Sequence, residues 1–305
     1  MKKYENAIDN RYEFVMLYDV ENGNPNGDPD ADNMPRMDPE TGHGIVTDVC
    51  IKRKIRNAIL VRKEGEKGFD IYIRQNAILK NVSQYGIKQA ESSSGDKNEA
   101  FRYAMTENFF DIRAFGAVMP QKKGSIVSNT AGQVRGPIQI AFGQSVEPIT
   151  PRTISITRMA VEDEKALKKK EEIKDEESAK NNITMGRKSI VPYALYKQEG
   201  YISANLAQKV TGFSENDLEV FWDAVIHMFD EDRSAARGKM ALRELIIFKH
   251  ESPLGNAPAH KLFDKIIIER KDGISVPRKY ADYKIIIDEQ MPVGVELIRK
   301  YRDDE

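Results

Sequence analysis

The segment Tyr12-Glu-Phe-Val-Met-Leu-Tyr-Asp-Val20 is dense in β-branched and aromatic residues and stops at a cluster of Asn, Gly, Pro and Asp, as a buried strand does. A helix is predicted after it: Thr47 or Asp48 caps the start, and Val49, Ile55 and Ile59 are spaced for an inward stripe. Residues 63–100 mix short apolar runs with Ser92-Ser-Ser-Gly95 and predict an insertion with a flexible tip. Ile138-Gln-Ile-Ala-Phe142 and Thr153-Ile-Ser-Ile-Thr-Arg-Met159 predict two strands of a central sheet, separated by Gly143, Pro148 and Pro151.

Ile156-Thr-Arg-Met159 and Ile183-Thr-Met-Gly-Arg187 resemble each other and flank a segment nearly free of apolar residues. They predict the two arms of a projecting hairpin with residues 162–180 at its tip. A surface helix competes for that tip, since Glu164 and Lys168 form an i,i+4 pair. Val191-Pro-Tyr-Ala-Leu-Tyr196 and Gly200-Tyr-Ile-Ser-Ala204 predict further strands. Ser214-Glu-Asn-Asp217 opens a helix like a capping box, and Leu218, Phe221, Trp222, Val225, Ile226 and Phe229 give it a strong apolar face. Short runs at 242–248, 266–268 and 283–287 complete a βαβ…βαβ pattern, an α+β sheet carrying helices on one face.

Composition adds a contrast between sum and distribution. The 305 residues are 40% hydrophobic and 31% charged, enough to build a real core, yet the net charge is only −1. Bases are segregated: from Asp48 to Arg62 five of them oppose only Asp48, and from Met119 to Ala160 five oppose only Glu147. Acids collect between Asp28 and Glu40, five against one base. Two basic segments could therefore line one groove on a neutral molecule. The single cysteine, Cys50, allows no intrachain disulfide, and the lack of an amino-terminal apolar run makes a reducing cytoplasm the expected compartment.

Catalytic signatures are mostly missing. There is no Gly-x-Ser-x-Gly elbow and no phosphate-cradling P-loop, and His43, His227, His250 and His260 show no zinc spacing. Asp28, Asp30 and Asp32 alternate as in a calcium loop, but Asn33 and Pro39 stand where its glycine and bidentate glutamate belong. A rigid turn after strand one is the plainer reading, and a metal-dependent endoribonuclease using these aspartates is the alternative function. No metal or cofactor is expected. On the basic helix, Lys52, Arg53 and Arg56 are predicted to share an exposed stripe opposite Val49, Ile55 and Ile59, suited to gripping phosphates without reading bases. A merely solvated basic face competes with that reading. Gly132-Gln-Val-Arg135-Gly adds an arginine flanked by glycines, which let backbone amides approach an anion. Asp111-Ile-Arg-Ala-Phe115 departs from the RRM aromatic motif, and core packing is the expected role of Phe115.

Several of these stretches together resemble one family. They are the Asn22-Gly-Asn-Pro-Asn-Gly-Asp28-Pro-Asp30 loop, the Thr47-to-Arg56 helix, Asp111-Ile-Arg-Ala-Phe-Gly116, Gly136-Pro-Ile-Gln, Met185-Gly-Arg-Lys and Phe221-Trp-Asp…Asp232-Arg-Ser-Ala-Ala. The likeness, nearly end to end, is to the crRNA-binding backbone subunit of type I CRISPR Cascade, the seventh Cas family of the RAMP superfamily, closest to its subtype I-C branch. The resemblance implies a modified RRM/ferredoxin-like βαββαβ core, one domain over residues 1–305, with web- or finger-like insertions at about 63–133 and a thumb-like hairpin at 156–190. It implies a non-catalytic, cytoplasmic ribonucleoprotein component. Copies would stack head to tail along the CRISPR guide RNA, join other Cascade subunits and present the guide to target DNA in antiviral defence, with no membrane involved. RNA contacts would fall on Lys52, Arg53 and Arg56, on Arg135, and on the hairpin at Arg158, Met159, Met185, Arg187 and Lys188, a methionine being the candidate wedge. Related type III subunits cut RNA with a loop aspartate; the type I likeness argues against that here.

Overall fold

The computed structural model describes residues 3–121, 125–158 and 184–303. Its centre is β1 (Tyr12–Gly23), in which the first nine residues are all buried. The remaining strands are β2 (Gly27–Asp28), β3 (Met34–Pro35), β4 (His43–Val46), β5 (Gly116–Val118), β6 (Gln133–Arg135), β7 (Ile138–Ile140), β8 (Gly143–Pro148), β9 (Arg152–Arg158), β10 (Thr184–Ile202), β11 (Lys239–His250), β12 (Ile266–Arg270), β13 (Tyr283–Ile287) and β14 (Val295–Arg302). The main sheet runs β14-β11-β1-β10-β8-β4, with β7 and β9 also pairing β10.

Helix α1 (Asp48–Arg62) and the helix Glu215–His227 cover one face. Side chains alternate on a strand, so Phe14, Met16 and Tyr18 join the helix layer, with Ile51, Ile55, Phe221 and Trp222. Val15 and Leu17 point into a second core with Leu262, Phe263, Ile266 and Tyr283. The expectation of helices on one face is thus incomplete, because β12, β13 and the short helix Ala259–Phe263 cover the other. Burial on both sides explains why β1 is apolar without a break from Phe14 to Tyr18.

Two further differences have local causes. The runs at 191–196 and 200–204 belong to one 19-residue strand, β10, that also forms an arm of the hairpin. Pro192 and Gly200 break the sequence pattern without breaking the strand. The insertion after α1 is helical, with α2 (Leu79–Val82), α3 (Gln84–Ser92), α4 (Lys97–Asn108) and α5 (Phe110–Phe115). It builds its own core from Tyr72, Phe101, Met105, Phe109 and Ile112. The hairpin arms pair as expected, from Arg158 opposite Thr184 to Arg152 opposite Ile190. Its tip at 162–180 lies outside the described residues.

Ser214 and Asp217 do form the capping box: the Ser214 hydroxyl accepts from the Asp217 amide at 3.2 Å and Asp217 Oδ2 accepts from the Ser214 amide at 2.9 Å. Asp217 is also gripped by buried Arg113 of α5, at 2.6 and 2.9 Å, so this cap fastens the insertion to the core. Gly200 lies across from Phe14, and a Cβ there would come within 2.1 Å of the Phe14 ring. That ring is wedged edge-on between Phe221 and Trp222, with centroids at 5.7 and 5.2 Å, and cannot retreat. Gly200→Ala is therefore expected to cost about 2 kcal/mol, read as a lower thermal-unfolding midpoint.

Candidate nucleic-acid interface

The loop leaving β1 is built onto the start of α1. Asn26 Oδ1 accepts from both the Thr47 amide, at 2.9 Å, and the Thr47 hydroxyl, at 2.8 Å, while that hydroxyl caps the helix by accepting from the Cys50 amide at 3.4 Å. Asn24 Nδ2 donates to the Asn33 carbonyl at 2.7 Å, closing the loop on itself. The asparagines flanking Pro25 are thus structural clasps, which short amides at turns provide well.

Loop, helix, the segment 73–75, Phe115 and Gly116, and residues 234–237 enclose a cleft of about 1010 Å³. Among the described residues six bases line it, Arg36, Lys52, Arg53, Arg56, Arg74 and Arg237, and no acidic residue does. Lys52 and Arg56 lie over the Phe115 ring, 5.7 and 5.3 Å from its centre. Phe115 is 7% exposed, in keeping with core packing, yet it also lines the cleft.

The six cations are not equivalent. Arg56 is only 8% exposed and its Nε donates to Asp111 at 2.8 Å; Asp111 also accepts from the amides of Tyr72, at 2.8 Å, and Ile73, at 3.0 Å. Lys52 pairs with Asp48 at 2.9 Å. Arg36, Arg74 and Arg237 are held by Asp28, Asp70 and Asp232 at 3.4, 3.2 and 2.7 Å. Arg53 alone is exposed with no ion partner among the described residues. The predicted stripe is corrected accordingly: Arg56 is buried, Val49 is 64% exposed rather than inward, and Ile51 takes its place in the core.

Of the other expected contacts, Arg135 pairs opposite Gly116 but lines a separate groove of about 530 Å³ with Arg11 and Tyr201. Arg187 and Lys188 sit on the hairpin arm and do not line the cleft. Met159 and the side chains of Arg158 and Met185 lie outside the described residues. Asp28 is occupied in accepting from the Asp30 amide at 3.2 Å and in pairing with Arg36, while Asp30 and Asp32 point into solvent. Among the described residues no three His, Cys, Asp or Glu side chains converge as metal ligands would, and no helix is long and apolar enough to cross a membrane. The sequence reading missed Arg36, Arg74 and Arg237, of which the last directly follows the Asp232-Arg-Ser-Ala-Ala stretch.

Cys50, also in the lining, has its thiol pushed above the ordinary range by burial. The contrast between Arg56 and Arg53 is open to measurement. Arg56→Ala strands a buried carboxylate and is expected to lower unfolding free energy by about 3 kcal/mol, whereas Arg53→Ala should change it by less than about 0.5 kcal/mol, both by denaturant titration.

A family model described as CRISPR-associated protein Cas7 matches residues 10–288. A protein from Haloferax volcanii, described as CRISPR-associated protein Cas7, is 32% identical over 160 residues, a match spanning 46% of this chain and 44% of that protein. Likenesses to solved structures are remote. A chain of a CRISPR RNA-guided surveillance complex, pre-nicking, aligns over 78% of both chains with a TM-score of 0.48 and 12% identity. Another, of a CRISPR RNA-guided surveillance complex, aligns over 86% of this chain and 78% of its own with a TM-score of 0.43 and 14% identity. With the family match spanning β1 to β13, the helices and every wall of the basic cleft, the chain belongs to the Cas7 family.

Proposed function

We propose that this protein is a non-catalytic backbone subunit that binds CRISPR guide RNA in the cleft at the end of β1. On this reading it polymerises along the guide with other Cascade subunits, in the cytoplasm, and presents the guide to target DNA. The observation that carries the reading is a cleft lined, among the described residues, by six bases and no acid on a chain of net charge −1. Such a lining suits a polyanion gripped through its phosphates, because guanidinium forks match phosphate oxygens and need no particular base. Sequence-blind contact is what a guide of variable spacer requires, since base pairing then reads the target.

A modified RRM core is the finer fold assignment. In its support, β11-β1-β10-β8 stand side by side, α1 lies in the chain between β1 and β8, and the helix Glu215–His227 lies between β10 and β11. The β9–β10 hairpin would be the thumb, the 63–133 segment the web, and the subtype I-C; Arg158, Arg187 and Lys188 would then meet the guide outside the cleft.

Cys50 supplies a direct test, because the chain has one cysteine and it lines the cleft. Guide RNA is expected to slow alkylation of Cys50 at alkaline pH, and rising salt to remove that protection as it weakens phosphate contacts. Arg53→Glu should weaken guide binding at least tenfold with an unchanged melting curve; equal alkylation rates with and without guide would refute the reading. Incubation with complementary RNA and Mg²⁺ is expected to leave the RNA intact, and cleavage lost in Asp30→Ala would overturn the non-catalytic assignment.

A further inference from the structure

Helix α1 carries a buried cation, Lys54, that does not line the cleft. Lys54 is 1% exposed, its Nζ stands 5.6 Å from the centre of the Phe229 ring, and burial pulls its ammonium below the ordinary lysine range. A charge so placed persists only beside an anion, because the penalty for leaving water is otherwise uncompensated. Asp232 provides it, and its Oδ2 is shared: Lys54 Nζ and Arg237 Nε both meet that oxygen, the arginine at 2.7 Å.

Arg237 belongs to a strap that crosses the end of β1. The Asn24 amide donates to the Ala236 carbonyl at 2.8 Å, and a Cβ on Gly23 would fall 1.7 Å from the Arg237 carbonyl oxygen. Gly238, at a φ of +66°, turns the chain out of the strap into β11. Backbone and carboxylate together hold the guanidinium against the cleft. With Nε committed to Asp232, its two terminal nitrogens remain to fork an oxyanion.

Charge balance gives Lys54 a role at a distance. Two cations share one carboxylate, so the cluster keeps one positive charge, and of its two cations only Arg237 borders the cleft. Without Lys54, Asp232 would cancel Arg237 and the wall that Arg237 forms would be neutral. We propose that Arg237 is a phosphodiester-binding site on the far wall and that buried Lys54, acting through Asp232 as a positioning residue, keeps the site positive. The inference rests on the guide-RNA reading above and names a second wall for it.

Guide binding to the full-length protein, followed by fluorescence anisotropy over a salt series with melting curves alongside, tests it. Arg237→Gln is expected to weaken binding and to flatten the slope of log affinity on log salt by about 0.7, one phosphate on a single strand. Lys54→Met should weaken binding about fivefold, although Lys54 cannot touch the RNA. The double variant Lys54→Met/Asp232→Asn restores the single positive charge and should return toward wild-type affinity, which a packing role for Lys54 does not predict. Wild-type affinity and slope in Arg237→Gln overturn the proposal however Lys54→Met folds, and so does a double variant as weak as a well-folded Lys54→Met. A wild-type protein that binds no guide overturns the function as well, whereas guide binding indifferent to Arg237 overturns the far-wall site alone.

Discussion

Burial of β1 on both faces is the constraint from which the rest follows. A strand hydrogen-bonded to β10 on one side and β11 on the other, with nine consecutive residues out of water, can neither slip in register nor tilt. A one-residue slip would send Phe14 and Tyr18 to the face of Val15 and exchange the two cores. The point where β1 ends is therefore fixed, and Asn24, Asn26 and the strap over Gly23 are all referred to it. The cleft inherits its rigidity from a sheet whose strands β1, β10 and β11 contribute none of its lining residues.

The cleft also shows how a neutral protein presents a positive surface. Five of its six bases are tethered by aspartates that are not themselves in the lining. Each carboxylate holds a cation that still lines the cleft. The acids lower the net charge of the molecule but not the donor density of the cleft. Preorganised donors lose less conformational entropy on meeting a polyanion than free surface lysines would.

Elements with local signals were legible in the sequence: β1, the Thr47 cap of α1, the Ser214 capping box and the paired hairpin arms. What was not legible depended on partners far along the chain. Arg56 has the helical spacing of an exposed base, and only Asp111, 55 residues away, makes it an interior one. Val49 has the spacing of a core residue, but the loop bearing Asn26 leaves it at the cleft, so the stripe rotates onto Ile51. Arg36, Arg74 and Arg237 come from three loops without periodicity, and nothing local tells which loop tips will meet. The continuity of β10 was hidden because Pro192 and Gly200 punctuate it, although both are accommodated, Gly200 by the ring of Phe14.

That continuity has a mechanical side. A single strand of 19 residues spans about 60 Å, from the hairpin, where it pairs β9, to the core, where it pairs β1. No joint separates the two ends. Whatever the hairpin leans on, the load passes along one covalent rod into the layer that carries Phe14, Trp222 and the loop of Asn24, so the hairpin and the cleft behave as two ends of one lever rather than as separate appendages.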